Sequence, residues 1–317
     1  RFRVKKAIDE VRNSPNQYAR SLVTKQKGII GVVRNGVDID RSNDKEIYSF
    51  DVLPDTYLSD MLDYIVSEIR ASEYSVLLDW VCWLDDVPDS MWRLPRILDD
   101  NRIDGLLWAS GCMVPQTVEK LARFKFPVVL VGARASEYDW VDTSPENGIT
   151  MAVDYFAKRG HRDIAFINGP GFTQTSPRKL SGFLGSMQNN SLRVKDDWLE
   201  TANFSGQGGY EAMRRIIAAG TLPTAIVTAQ DAIAVGALRC IYENGLSCPR
   251  DISIIGYEDG LLAEYAYPPL TTICSRKSEL GRTAARVLLN RIENPNVNHV
   301  RMIIDPYLVE RASVRSL

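Results

Sequence analysis

The residues of this chain that could carry out chemistry are few and scattered. His161 follows a predicted helix end at Gly160, and Cys248 precedes a proline, so both are typical of turns rather than of a general base or a nucleophile. The adjacent carboxylates Glu258 and Asp259 lie where a strand ends, but neighbouring side chains on a strand point to opposite faces. They would not act as an acid–base pair, and the sequence predicts no enzyme.

Sites for phosphate and metals are also weakly supported. The segment GQGGYEA at 206–212 resembles a glycine-rich phosphate loop only superficially, because it lacks the GxGxxG order and follows no strongly apolar run. The two histidines, His161 and His299, have no metal-ligand spacing, and the five cysteines include no CxxC pair. We therefore predict no metal and no cofactor, and reduced thiols in a cytoplasmic protein.

Short apolar runs alternate with longer amphipathic stretches from Lys27 onward. The runs have the composition of strands buried on both faces, and the stretches between them have helical spacing, often closed by a glycine. The predicted strands are 28–33, 75–80, 105–110, 127–132, 163–168, 224–229 and 252–257, and the predicted helices are 58–69, 117–124, 148–160, 208–220 and 231–245. Two such sets predict two α/β lobes with doubly wound parallel sheets. Because ligands bind beyond the carboxyl ends of such strands, we expect a central cleft between the lobes.

Length and composition limit the class of protein further. The 317 residues favour two compact units, and 45% hydrophobic with 25% charged residues is typical of a globular protein. The formal net charge of −2 argues against a body that binds polyanions, so any contact with nucleic acid must be local. Because no apolar run approaches the roughly 18 residues of a membrane span, we predict no membrane partner.

The first 27 residues depart from the strand–helix alternation. RVKKAIDEV at 3–11 is amphipathic, and Ser14-Pro15 has the form of a helix start. The helix predicted after it, at 16–23, is too short to be stable alone. It should therefore form only against a partner.

Several longer segments match one family in combination. They include VKKAIDEVRNSPNQYARSL near the start, RGHRDIAFINGP and PRKLSGF in the middle, and LPTAIVTAQDAIAVGALRCIYENGLSCPRDISIIGYED and PPLTTICSRKSELGRTAARVLL towards the end. In these segments the chain resembles the lactose/galactose repressor (LacI/GalR) family of bacterial transcription regulators. The resemblance implies two lobes of the type I periplasmic-binding-protein-like fold, a homodimer, and a short helical remnant of a helix-turn-helix headpiece ahead of them.

The resemblance also implies that 16–23 is a hinge helix, which folds on operator DNA and enters its minor groove. Leu22 matches the apolar wedge that kinks a central base step. Ala19 would permit close approach of two hinge helices, and Asn16 and Arg20 would meet backbone phosphates. The chain would begin inside the last helix of the headpiece, with the base-reading helix upstream.

An effector site in the cleft is implied as well, with altered residues at several positions. Lys179 stands where sugar regulators of the family have an arginine, Gln230 where they have an asparagine, and Glu258 where they have an aspartate. An ammonium cannot reproduce the planar fork of a guanidinium, and the other two changes each add a methylene that narrows the pocket. These changes favour a smaller or anionic effector, or a neutral sugar of different hydroxyl geometry, with a non-sugar metabolite as the alternative. The predicted effector residues are Asn35, Asn147, Lys179, Phe204, Gln230, Asp231, Glu258 and Lys277.

We therefore expect a cytoplasmic, homodimeric repressor of carbohydrate-metabolism genes, whose small-molecule effector changes its affinity for operator DNA allosterically. The alternative is a periplasmic-type sugar- or solute-binding protein of a transport system, which shares the fold but not the basic segment ahead of the first strand. The predicted organisation is a headpiece end with hinge helix at 1–27, an N-terminal lobe of 28–159 plus 276–301, and a C-terminal lobe of 160–275 plus 302–317.

Overall fold

The computed structural model of the chain describes residues 26–35, 38–40, 45–47, 56–81, 96–98, 102–109, 115–171 and 173–317. The predicted hinge residues lie outside these ranges, and their roles stay predictions: Asn16, Ala19, Arg20 and Leu22. Asn35 ends a strand, but its side chain is also outside the described part. Within the described ranges, every helix is too short or too polar to span a bilayer.

Strands and helices alternate along the chain from Ile29 to its end. The first half contains β1 (Ile29–Asn35), β2 (Asp38–Asp40), β3 (Lys45–Ile47), α1 (Thr56–Ile69), β4 (Ser75–Val81), β5 (Gly105–Ala109), α2 (Pro115–Leu121), β6 (Val128–Val131), β7 (Asp139–Thr143) and α3 (Pro145–Lys158). The second half contains β8 (Ile164–Asn168), α4 (Thr175–Asn189), β9 (Leu199–Thr201), α5 (Gly206–Ala218), β10 (Ala225–Thr228), α6 (Asp231–Glu243), β11 (Ser253–Glu258), α7 (Leu261–Tyr265), β12 (Thr271–Cys274), α8 (Lys277–Glu293), β13 (Arg301–Ile304) and β14 (Tyr307–Val309). Each strand and helix predicted between residues 28 and 257 overlaps one of these elements, and the helix predicted at 16–23 lies outside the described residues.

The described strands form two six-stranded sheets and a small ribbon of β2 and β3. The first sheet has the order β13-β7-β6-β5-β1-β4, and the second has the order β14-β12-β11-β10-β8-β9. Pairing is parallel in both sheets except between β12 and β14. Strands β5, β6, β8 and β10 are buried at every residue, as expected when helices cover both faces of a parallel sheet. The predicted fold of two doubly wound lobes is confirmed.

Helix ends in the second half follow from local sequence. At the start of α5, the Ser205 hydroxyl accepts a hydrogen bond from the backbone N–H of Gly208 at 3.0 Å. Gly160, Gly220 and Gly245 follow α3, α5 and α6 with φ values of +92°, +87° and +73°. Glycine adopts this left-handed region without the steric penalty of a Cβ, so the predicted role of these three glycines is confirmed.

Helix α3 belongs to the second lobe, which corrects the predicted first boundary. Its buried face, including Ile149 and Phe156, packs with Phe166 of β8 and other residues of the second sheet. The first crossing between the lobes therefore lies at Ser144, between β7 and α3, and not near Gly160. The amphipathic pattern of 148–160 correctly predicts a helix, but it does not specify which sheet the apolar face covers.

The other two crossings follow from α8 and β13. Helix α8 packs with α1 in the core of the first lobe, so the chain crosses between β12 and α8, around Ser275. Strand β13 pairs with β7 of the first sheet over its whole length, and the next strand, β14, pairs with β12 of the second. The last crossing therefore follows Ile304 rather than Arg301, because the backbone of β13 is needed to complete the first sheet.

Candidate functional site

The carboxyl ends of adjacent strands in the second sheet bring several predicted residues to one edge. Gln230 comes just after β10, Glu258 is the last residue of β11, and Lys277 begins α8 after β12. Because β10, β11 and β12 are neighbours and run in parallel, their carboxyl ends meet. This edge borders the first lobe, since Asp259 and Asp60 of α1 line a common cavity.

Lys179 reaches this edge from the first turns of α4 and is almost fully buried, with 5% of its surface exposed. Its Nζ donates a hydrogen bond to the carbonyl oxygen of Ala229 at 2.7 Å. The same atom lies 4.0 Å from the centre of the Tyr257 ring and 6.0 Å from that of Phe204. Burial lowers the pKa of the ammonium to about 8, although the negative charge of Glu258 acts in the opposite direction.

Gln230 and Glu258 form a direct contact beside Lys179. The Nε2 of Gln230 donates to Oε1 of Glu258 at 3.0 Å. Glu258 has a φ of +114° and Asp259 one of +59°, a region that side-chain-bearing residues rarely adopt and that is concentrated at functional sites. Two buried atoms here, Oε1 of Gln230 and the hydroxyl of Tyr257, have no hydrogen-bond partner among the described residues. These atoms are therefore suited to a bound molecule.

Asp231 adjoins this group but directs its carboxylate into the protein. Its Oδ1 accepts from the hydroxyl of Thr272 at 2.6 Å, and its Oδ2 accepts from the backbone N–H of Gly260 at 3.0 Å. Burial raises the pKa of Asp231 to about 6, and the two hydrogen bonds limit the rise. Through these two hydrogen bonds Asp231 connects the end of β11 with β12 beside the polar group.

An open cavity of about 450 Å³ lies between the lobes next to Lys277. The ammonium of Lys277 pairs with the carboxylate of Asp60 on α1. Burial disfavours the charge on Lys277, but the hydrogen bond with Asp60 and the charge of Glu258 outweigh it and raise its pKa. The interaction with Glu258 connects this cavity to the end of β11. The charged residues that line the cavity are Asp60, Asp63, Asp259, Glu264, Lys277 and Arg311.

The two remaining predicted residues differ in their relation to the polar group. Phe204 is partly buried, its ring centre lies 6.0 Å from Nζ of Lys179, and a Cβ added to Gly169 would be 2.3 Å from a carbon of this ring. Asn147 is exposed on α3, and within the described part of the chain it forms no hydrogen bond to another predicted effector residue. A metal site is not indicated either, since the described residues contain no cluster of three or more metal-ligating side chains.

A charged cluster at the first crossing was not predicted from the sequence. Arg178 on α4 donates to Oδ2 of Asp142 on β7 at 2.7 Å and to Oε2 of Glu146 on α3 at 2.9 Å. Arg134 of the first lobe donates to the same oxygen of Asp142 at 2.5 Å. Burial opposes the charge on Glu146, but its hydrogen bond with Arg178 outweighs this and lowers its pKa. Guanidinium groups from both lobes thus share one buried carboxylate beside the cleft.

Comparison with known proteins places the chain in a family. The sequence profile of the "Periplasmic binding protein-like domain" matches residues 153–314. The HTH-type transcriptional repressor PurR of Salmonella paratyphi B is 30% identical over 312 residues, which are 97% of this chain and 86% of the relative. The chain belongs to the LacI/GalR family. Its relatives in this family are transcriptional repressors and not enzymes.

Solved structures of LacI/GalR family proteins have the same two-lobe fold. The lac repressor dimer bound to operator and the anti-inducer ONPF gives a TM-score of 0.79 at 23% identity, covering 96% of this chain and 100% of that chain. A LacI family regulator of Enterococcus faecium with bound ribose gives a TM-score of 0.73 at 24% identity, covering 91% and 99%. At these identities the comparison concerns the fold alone.

In this LacI/GalR protein, the structure brings together part of the predicted set and adds one residue to it. The buried side chains of Lys179 and Gln230 and the half-buried Glu258 form one polar group, and Lys277 interacts with Glu258 from the first lobe's side. Tyr257, which precedes Glu258 in the strand ISIIGY, belongs to the group because its ring lies under Lys179. The position of Tyr257 near a strand end could have indicated a site residue. An aromatic residue at that position is equally typical of the hydrophobic core.

Proposed function

We propose that this LacI/GalR protein is an effector-responsive repressor of carbohydrate-metabolism genes, which binds a small sugar or sugar derivative between its lobes. The observation that carries the proposal is the polar group in which Lys179 of α4 meets Gln230 and Glu258 at the ends of the adjacent strands β10 and β11. It offers hydrogen-bond donors and acceptors next to the faces of Tyr257 and Phe204, which suits a ligand with hydroxyl groups on an apolar ring. The ribose found in the Enterococcus faecium regulator of the same fold supports this class of ligand.

The proposed mechanism is a change in the relative orientation of the lobes. A ligand that contacts Glu258 of the second lobe and Lys277 of the first would favour one orientation over the other. The pairing of Arg178 with Asp142 across the first crossing gives the lobes a second, competing contact. Such coupling between two sites is typically about 1–3 kcal/mol. The predicted hinge residues Asn16 and Leu22 would carry the change to operator DNA.

The proposal includes a homodimer that acts in the cytoplasm, where operator DNA is found. The lac repressor of the same fold is a dimer bound to operator. On the second lobe of this chain, Leu261, Tyr265 and Tyr267 are 69%, 77% and 86% exposed. A patch of large apolar side chains with this exposure is typical of a surface that contacts another chain. We take a second copy of this chain as its partner.

Calorimetric titration with monosaccharides and disaccharides tests the ligand part of the proposal. A ligand of the cleft should bind at a single saturable site, and Glu258→Ala should weaken it about tenfold or more through loss of a charged hydrogen-bond acceptor. Glu211→Ala is the matched control, because Glu211 is exposed on α5. Equal affinities for the two variants would show that the pocket lies elsewhere.

Operator binding by the full-length protein tests the regulatory part. Duplexes selected by the protein from a random library provide the DNA, and their dissociation constants are measured with and without saturating ligand. A coupling of about 1–3 kcal/mol corresponds to a change of about 5- to 150-fold. Ligand binding with an unchanged DNA affinity would argue against allosteric control and favour a solute-binding role.

A further inference from the structure

The ammonium of Lys179 is buried without a carboxylate at ion-pair distance among the described residues. It carries three N–H donors, and the described part of the chain supplies one acceptor, the carbonyl oxygen of Ala229 at 2.7 Å. The face of the Tyr257 ring adds a weaker electrostatic contact. A buried charge is costly unless it is paired and hydrogen-bonded, so this ammonium has a strong requirement for an additional partner.

Neighbouring groups define what that partner must look like. The amide of Gln230 gives its Nε2 to Glu258, which leaves Oε1 as a buried acceptor with no donor among the described residues. The Tyr257 hydroxyl is buried and likewise unpartnered there. A ligand must therefore bring acceptors to Lys179 and a donor to Gln230, and Glu258 lies beside both as a further acceptor.

The charge balance around Lys179 distinguishes a neutral ligand from an anionic one. Burial has the largest influence on its pKa and lowers it. Glu258 of β11 and Asp231 of α6 act in the opposite direction, while Arg178 of the same helix adds to the lowering. A neutral hydroxyl could accept a hydrogen bond from the ammonium but would not compensate its positive charge. An anionic group would accept the hydrogen bond and also compensate the charge.

From this arrangement we infer that the effector carries an anionic group, a carboxylate or a phosphoryl group, which binds the ammonium of Lys179, and hydroxyl groups that donate to Gln230 and Glu258. The inference rests on the proposed function and deepens it. It selects sugar acids and sugar phosphates over neutral sugars. The two anionic classes share the chemistry that Lys179 recognises, and they are separated by the experiment.

Calorimetry on the wild-type protein with matched sugars provides the first test. Each set contains a neutral sugar, its uronic acid and its 6-phosphate: galactose, galacturonate and galactose 6-phosphate, then the three glucose counterparts. We expect an anionic member to bind about 10- to 100-fold more tightly than its neutral parent, the usual range for a charged hydrogen bond. Comparison of the uronic acid with the 6-phosphate of the same sugar shows whether the anionic group of the ligand is a carboxylate or a phosphate.

Proton linkage gives a second readout in the same titrations. The pKa of Lys179 is about 8, so near pH 8 the free protein holds this proton only partly. An anion on Lys179 raises that pKa, so binding should take up protons. Repeating the titration in buffers of different ionisation enthalpy measures this uptake. Because burial lowers this pKa below that of an ordinary lysine, the titrations are repeated from pH 7 to 9, and binding of the anion without proton uptake anywhere in this range would contradict the inference.

Two substitutions at Lys179 complete the test. Lys179→Met keeps the approximate length of the side chain without its charge and should weaken binding of the anionic ligand about tenfold or more. Lys179→Arg keeps the charge and should bind the anion more tightly than Lys179→Met does, although its larger head group must fit a buried site. Thermal unfolding checks that both variants are folded. Unchanged affinity in Lys179→Met would overturn the inference, and so would a neutral parent that binds wild type as tightly as its acid, although the proposed sugar effector would then stand. Silence from all six compounds would overturn the inference and the sugar effector together.

Discussion

Replacing Gly182 with alanine should push two helices of the second lobe apart and lower both stability and effector affinity. Gly182 lies in α4 where this helix meets α3, and a Cβ added there would be 2.3 Å from the carbonyl oxygen of Glu146 and 2.9 Å from its Cα. These are backbone atoms of a packed helix, so they cannot rotate away as a side chain could. Relief of the overlap requires movement of one whole helix.

Two effects of opposite sign determine the magnitude. Alanine gains about 1 kcal/mol over glycine in the interior of a helix. Overpacking of a close contact costs about 1–3 kcal/mol, and an approach of 2.3 Å to a backbone oxygen places Gly182→Ala at the upper end of this range. The net loss is therefore about 2 kcal/mol. Gly185 lies three residues further along α4 and has no atom within 4 Å of an added Cβ. Gly185→Ala should keep the gain of about 1 kcal/mol.

Thermal unfolding and ligand titration of the two variants measure the difference. For lobes of this size, 1 kcal/mol moves the midpoint by about 2–4 °C, so Gly185→Ala should unfold a few degrees above wild type and Gly182→Ala about 4–8 °C below it. Lys179 is one turn before Gly182 on the same helix, so effector affinity should fall in Gly182→Ala alone. Equal unfolding midpoints for the two variants would refute the packing argument, since both carry the same change of residue type.

Three further outcomes are expected. Arg178→Met should lower the free energy of unfolding by about 2 kcal/mol. This is less than the loss of about 3–5 kcal/mol for a fully broken buried ion pair, because Arg134 still contacts Asp142. A loss below about 0.5 kcal/mol in urea unfolding would contradict this prediction. Burial lowers the pKa of His161 in the folded state below its ordinary value of 6.5. As the pH falls below 6.5, the unfolded state therefore binds a proton more readily, and the free energy of unfolding should decrease. Between pH 7 and 5 the free energy of unfolding should thus fall more in the wild-type protein than in His161→Gln. A difference between the two proteins that does not change with pH would contradict this. Tyr267→Glu should shift the proposed dimer towards monomer in analytical ultracentrifugation, and an association state equal to that of the wild type would place the interface elsewhere.

The alternation of strands and helices could be predicted from the sequence alone, and so could the positions of the strand ends that contribute to the site. These features depend on local patterns. Short apolar runs such as 224–229 between amphipathic stretches are typical of buried strands, and Gly220 and Gly245 end helices through their own backbone conformation. The sequence placed Gln230 and Glu258 after predicted strands, and the resemblance to the family assigned both to one site, while their contact depends on the observed pairing of β10 with β11.

The tertiary structure decided which surfaces and side chains face each other. An amphipathic pattern shows that one face of α3 is buried, but the sheet that covers it is set by where the chain crosses between the lobes. The sequence predicted Asp231 as an effector residue, which stays a prediction, but it did not indicate that the carboxylate accepts from Thr272, 41 residues away. Arg178 contacts Asp142 across 36 residues, and Lys179 reaches Ala229 across 50. The partner of a polar side chain depends on distances between segments that are remote in sequence, and only the packed fold fixes those distances.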